Sequence, residues 1–130
     1  MLRAFLGRRG VGEAAVDHAV RELASAGYLD DASYARRYAE DRRTLDGWGR
    51  ERIGRSLERR GVATEHVTAA LAPVDRDDEL EAALGLLARR WPQPPESDRD
   101  RARAWRLLVT RGYASELAYE AVRRHEAKGV

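Results

Sequence analysis

The three histidines, His18, His66 and His125, are the side chains best suited to move a proton or hold a metal near neutral pH, and they stand far apart in this 130-residue sequence. No two share a metal-ligand spacing. There is no cysteine to complete a site, no glycine-rich phosphate loop, and no serine and lysine arranged for nucleophilic chemistry. Asp30 and Asp31 are adjacent carboxylates that could bind a cation or share a proton. With Gly27 before them and Tyr34 after, they fit better as the cap of a helix, because a carboxylate accepts hydrogen bonds from the open N–H groups of a first turn. The inventory predicts no catalytic residue, no metal, no cofactor and no enzyme.

Arginine offers the other chemistry. Lys128 is the only lysine, and although the formal charge is only +2 the arginines are clustered. Between Arg42 and Arg60 there are seven (42, 43, 50, 52, 55, 59 and 60) against Asp46, Glu51 and Glu58, a net of +4; between Arg99 and Arg111 there are five against Asp100, again +4. Arg52, Arg55 and Arg59 share one helical face, and Arg99, Arg103 and Arg106 share another. Guanidinium forks suit phosphate and carboxylate equally, so a basic stripe of this kind meets nucleic acid or an acidic protein surface. The same spacing also suits a solvated face balanced by Asp75, Asp77, Asp78 and Glu79. Trp48, between two glycines, is either an exposed contact or a plug over a joint.

These side chains must be positioned by helices, because no segment alternates with period two for long enough to form a strand. Eight helices are expected: residues 2 to 9, closed by Gly10; 13 to 25, with Ala19, Val20 and Leu23 inward; 31 to 44; 49 to 60; a short one from Thr64, ended by Pro73; 77 to 90; 98 to 111; and 115 to 128. Gly27 supplies the turn before the third, where Tyr34, Ala35 and Tyr38 share an inward face. The clearest break is Trp91-Pro92-Gln93-Pro94-Pro95-Glu96-Ser97, since prolines remove donors and clash with the preceding turn.

An internal repeat orders the helices. Gly10, Gly61 and Gly112 are 51 residues apart, each preceded at minus four by leucine (Leu6, Leu57, Leu108) and at minus one by arginine. At plus six stand Val16, Val67 and Ala118, and at plus ten Val20, Leu71 and Val122. A period of this size predicts stacked units that bury apolar faces on one another. The expected fold is an all-α, elongated tandem array of three-helix repeat modules: residues 1–45, 46–91, a proline-rich linker at 92–97, and a two-helix third module at 98–130. The second helices are largely acidic, carrying Glu13, Asp17 and Glu22, then Glu65, then Glu116 and Glu120.

The run Gly27-Tyr28-Leu29-Asp30-Asp31-x-x-Tyr34-Ala35-x-x-Tyr38-x-x-x-Arg42, followed by Gly47-x-Gly49-x-x-Arg52-Ile53-x-x-x-Leu57-x-x-x-Gly61-Val62, resembles the RecX family of bacterial recombination regulators. Trp105-Arg106-Leu107-Leu108-x-x-Arg111-Gly112-Tyr113 is similar to that family's final-module pattern. The resemblance extends over nearly the whole chain. It departs at both ends: Met1 already lies inside the first helix, and the third module has no room for a third helix.

The resemblance implies a non-catalytic protein that binds the RecA recombinase filament on single-stranded DNA and restrains strand exchange, ATP hydrolysis and coprotease activity in the damage response. It assigns folding to the motif residues Gly27, Tyr28, Leu29, Asp30, Asp31, Tyr34, Ala35, Tyr38, Gly49, Ile53, Leu57 and Gly61. Contact falls to Arg42, Arg43, Trp48, Arg50, Arg52, Arg55, Arg59, Arg99, Arg103 and Arg106. A cytoplasmic monomer with weak, sequence-independent DNA binding and no membrane contact is expected. The other class compatible with helix, glycine turn and helix is a helix-turn-helix DNA-binding protein, although its recognition helices would be acidic, which disfavours base readout.

Overall fold

The computed structural model describes residues 13–127, and these form six helices with no strand among them: α1 (Glu13–Asp46), α2 (Arg50–Arg59), α3 (Thr64–Leu71), α4 (Arg76–Arg90), α5 (Asp98–Thr110) and α6 (Ser115–Ala127). The expected helix at residues 2 to 9 lies outside the described residues. The next two expected helices are one, because α1 runs through Gly27 to Asp31 without a turn. A single glycine costs roughly 1 kcal/mol against alanine in a helix, and no proline stands nearby to enforce a break. Asp30 and Asp31 therefore cap nothing, since the amides they would have capped lie inside α1.

Packing divides the chain into two compact units, residues 1–34 and residues 35–130. In the first, Leu23, Tyr28 and Leu29 are exposed, which corrects the expectation that Tyr28 and Leu29 are packing residues. In the second, Ala35 and Ala39 on the last turns of α1 are buried together with Ile53 and Leu57 of α2 and Val67 and Ala70 of α3. A larger core joins Leu80, Ala83 and Leu87 of α4 to Ala104 and Leu108 of α5 and Leu117, Ala118, Ala121 and Val122 of α6. Trp91 and Trp105 pack against its edge, so the proline stretch is a connection inside this three-helix body. Each large aliphatic side chain removed from water here stabilises by about 1.5–3 kcal/mol.

Local chemistry explains the ends. Asp75 and Asp78 cap α4 reciprocally, each side chain accepting from the other's backbone N–H, and Ser97 caps α5 through the Asp100 N–H. Asp75 and Asp78 thus serve as a cap and not as counter-charges for arginine. Two turns show the 51-residue repeat directly. Gly61 (φ 84°) donates to the Glu58 carbonyl while Val62 donates to Leu57; Gly112 (φ 99°) donates to Val109 while Tyr113 donates to Leu108. Both are Schellman turns, which need a left-handed residue just past the helix, and glycine adopts it without steric cost.

Candidate interaction surface

Helix α2 starts without a cap of its own, because Gly49 has no side chain to accept a hydrogen bond. Two bodies within residues 35–130 meet here, the first made by the end of α1 with α2 and α3 and the second by α4, α5 and α6, and the second takes the open donors of α2. Gly49 N–H donates to the Arg111 carbonyl (2.8 Å), Arg50 N–H to the Glu79 carboxylate (2.8 Å) and Glu51 N–H to the Gly112 carbonyl (3.0 Å). The carbonyls left open at the end of α5 are satisfied in the same exchange, since the Arg52 guanidinium also donates to Thr110 O at 3.3 Å. Positive and negative helix ends thereby face each other.

The loop 47–49 completes this joint. Gly47 takes φ 67°, and its carbonyl accepts from the Tyr113 hydroxyl at 3.0 Å, while the Arg111 guanidinium donates to Asp46 O at 2.9 Å. Glu79, though ionisable, is 5% exposed. Burial pushes its carboxyl above the usual range, and the Arg50 amide and the Arg50 and Arg43 guanidiniums offset this only in part. Burial, reinforced by the Glu79 carboxylate, likewise pushes the Tyr113 hydroxyl up to about 12.

Above the joint, arginines and rings alternate. Arg60 lies 4.7 Å from the Tyr38 ring centroid and Arg42 5.6 Å from it; Arg42 also lies 5.9 Å from the Trp48 centroid, and Arg52 4.1 Å from Trp48. Each such pair contributes roughly 0.5–1 kcal/mol at exposed positions. The Tyr38 hydroxyl bonds Ser56 at 2.6 Å. Burial pushes that hydroxyl up, but the bond to Ser56 and the guanidiniums of Arg60 and Arg42 outweigh it and hold it below the usual tyrosine value. Arg42 in addition pairs with Asp46.

Of the ten contact candidates, the structure brings Arg42, Trp48 and Arg52 into this ladder. Arg103 and Arg106 line a surface concavity of about 340 Å³ with Arg90, Trp91 and Thr110. Thr110 is common to both, so the rows on α2 and α5 meet at its carbonyl. Arg50 and Arg55 instead flank the α2–α3 groove over Gly54. Arg43 is half-buried beside the joint, whereas Arg59 and Arg99 are exposed and lie outside both clusters. Sequence reasoning named Glu79 only as a balancing acid and Tyr113 only within a motif, and it gave Thr110 no role, so it missed all three as residues of the joint. Their partners lie between 29 and 66 residues away, so no local spacing marks them. The histidines converge on nothing: His18 pairs with Glu22, while His66 and His125 are buried on separate helices. Among the described residues no cluster of His, Asp and Glu could hold a metal, and no helix is long and apolar enough to cross a membrane.

Comparison with known proteins bears on this geometry. The family model for the second three-helix domain of RecX matches residues 30–71, and that for the third three-helix domain matches residues 77–122. The chain is 33% identical over 122 residues to a regulatory protein RecX of Deinococcus radiodurans, covering 94% of this chain and 58% of that one. It is 31% identical over 121 residues to one of Mycobacteroides abscessus, covering 91% and 59%, and 31% identical over 124 residues to one of Amycolatopsis mediterranei, covering 94% and 71%. It therefore spans somewhat under six-tenths of the first two relatives. The crystal structure of RecX from Lactobacillus salivarius superposes with a TM-score of 0.67 at 18% identity, over 96% of this chain and 82% of that one, a likeness of fold.

Proposed function

As the chain belongs to the RecX family, we propose that it is a non-catalytic regulator that binds the RecA recombinase filament and restrains its strand exchange, ATP hydrolysis and coprotease activity. The observation that carries this reading is the joint. Three backbone donors at the start of α2 and the hydroxyl of Tyr113 fix the two bodies together, so Arg52 of α2 and Arg103 and Arg106 of α5, which meet at Thr110, hold a set geometry. Such a surface suits acidic groups or phosphates displayed at regular intervals by a polymer. The protein acts in the cytoplasm as a monomer, and any DNA affinity of its own is weak, salt-sensitive and indifferent to sequence. Its two three-helix modules are those of residues 30–71 and 77–122.

The test is the single-stranded-DNA-dependent ATPase rate of a cognate RecA as the protein is titrated in, with binding to DNA alone measured in parallel. A fall at substoichiometric protein supports action on filament ends or subunit joints. An unchanged ATPase together with sequence-selective duplex binding would replace the filament reading with that of a helix-turn-helix DNA-binding protein.

A further inference from the structure

The 51-residue repeat places two grooves in register: one between α2 and α3, lined by Arg50, Gly54, Thr68 and Leu71, the other between α5 and α6, lined by Arg101, Trp105, Tyr119 and Val122. The first serves as an internal control for the second. Helices α2 and α3 close with glycine and threonine where α5 and α6 carry tryptophan and tyrosine, so the helix pair does not need aromatic residues at those positions. Tyr119 is nevertheless 61% exposed, and a large exposed ring that packing does not require points outward to a partner. Trp105 is half-buried in the same groove, its indole N–H donating to Ser115 O at 3.1 Å.

Charge at the groove is equally specific to this copy. Arg123 and Arg124 stand where the first body has Ala72 and Pro73. Glu120 is clamped between Arg76 (2.7 Å) and Arg124 (3.1 Å), and their hydrogen bonds and charge hold its carboxyl below the usual range. Arg101 is occupied by Asp98 and Glu126. Arg123 has no carboxylate partner among the described residues and lies 5.9 Å from the Tyr119 ring centroid. Tyr119 and Arg123 thus stand where two concavities adjoin, one of about 580 Å³ that holds Arg76, Glu120 and Arg124, the other the α5–α6 groove of about 550 Å³ that holds Asp98, Arg101 and Glu126.

We propose that the α5–α6 face, centred on Tyr119 and Arg123, docks a segment of a partner protein that carries carboxylates beside one apolar anchor. The anchor sits against Tyr119, Trp105 and Val122, and the carboxylates meet Arg123 and the outer faces of Arg76 and Arg124. A nucleic-acid backbone suits the face less well, because Asp98, Glu120 and Glu126 break its positive charge into separate points, which phosphates at fixed spacing cannot avoid and the few carboxylates of a peptide can. The inference is independent of the recombinase reading, and its test uses this chain alone.

Random dodecapeptides displayed on phage are selected on the wild-type chain and counter-selected against the double variant Tyr119→Ala, Arg123→Glu, both positions being exposed. Recovered peptides are synthesised, and binding is read by fluorescence anisotropy and by the NMR resonance of the Trp105 indole N–H. The expected peptides carry at least two carboxylates and an apolar residue, lose about tenfold or more in affinity on the variant, and move the Trp105 resonance. Should the double variant fail to melt as the wild type does, Tyr119→Ser and Arg123→Ala singly replace it. No enrichment over the variant, or enrichment of basic peptides, would overturn the proposal. So would an oligothymidylate that shifts the Trp105 resonance when no peptide does, which would assign the face to nucleic acid.

Discussion

A Cβ placed on Gly49 would lie 2.5 Å from the carbonyl oxygen of Gly112, and one placed on Gly112 would lie 2.3 Å from the Cβ of Arg52. Two glycines 63 positions apart therefore let two backbones meet where no side chain fits. Gly61, the repeat counterpart of Gly112, has the same left-handed turn at φ 84° but nothing within 4 Å of its missing Cβ.

That contrast separates turn strain from joint geometry. Gly61→Ala should cost only the left-handed penalty, roughly 1–2 kcal/mol. Gly112→Ala should add the overlap with Arg52, about another 1–3 kcal/mol. Urea denaturation of the two variants measures the difference; equal losses would show that the contact at Gly112 relaxes without cost.

The raised carboxyl of Glu79 fixes the sign of a pH effect. A carboxyl whose folded value exceeds its unfolded one binds its proton more tightly when folded, so its favourable contribution is complete below the unfolded value and is lost as pH rises through the folded one. Glu79→Gln can still accept from the Arg50 amide without the cost of burying charge. Its stability relative to wild type should therefore improve between pH 4 and pH 7. A difference that is flat across that range, or falls, would contradict this account.

The arginines divide into holders and contacts. Arg52 stacks on Trp48 and bonds Thr110 O, so Arg52→Ala should lower stability by roughly 1 kcal/mol. The triple variant Arg55→Ala, Arg59→Ala, Arg106→Ala removes exposed charge and should leave the melting temperature almost unchanged while weakening filament or DNA binding several-fold. A folded triple variant that binds as wild type would remove these side chains from the surface.

Tyr38 is half-buried, with its hydroxyl on Ser56 and its ring between two guanidiniums. Tyr38→Phe should cost about 1 kcal/mol for the bond to Ser56, and Tyr38→Ala about 3 kcal/mol. Thermal melts of both variants distinguish the hydroxyl's share from the ring's.

The sequence pattern made much of this legible. The period of 51 marked Leu57 with Leu108, which are equally buried, and Gly61 with Gly112, which share a turn geometry although only Gly112 is buried, because helix ends are set by local sterics and local hydrogen bonds. The turn at Gly27 was misread for a related reason: a glycine and two aspartates favour a break, but the residues around them favour helix, and propensities of about 1 kcal/mol do not decide between the two. The joint was hidden altogether. Glu79 follows three acidic neighbours and reads as solvated charge until the fold brings the Arg50 amide to it. Trp48, left open between contact and plug, is both half-covered at the joint and stacked by arginines on its rings.

The borrowed cap of α2 also makes the joint observable amide by amide. First-turn amides of a helix lack intrahelical acceptors and ordinarily exchange with solvent hydrogen quickly. Here Gly49, Arg50 and Glu51 are bonded across the joint, so their exchange is gated by separation of the two bodies and not by fraying of α2 itself. Protection at those three positions would report the breathing of the molecule between its bodies, in a protein where neither body has unfolded.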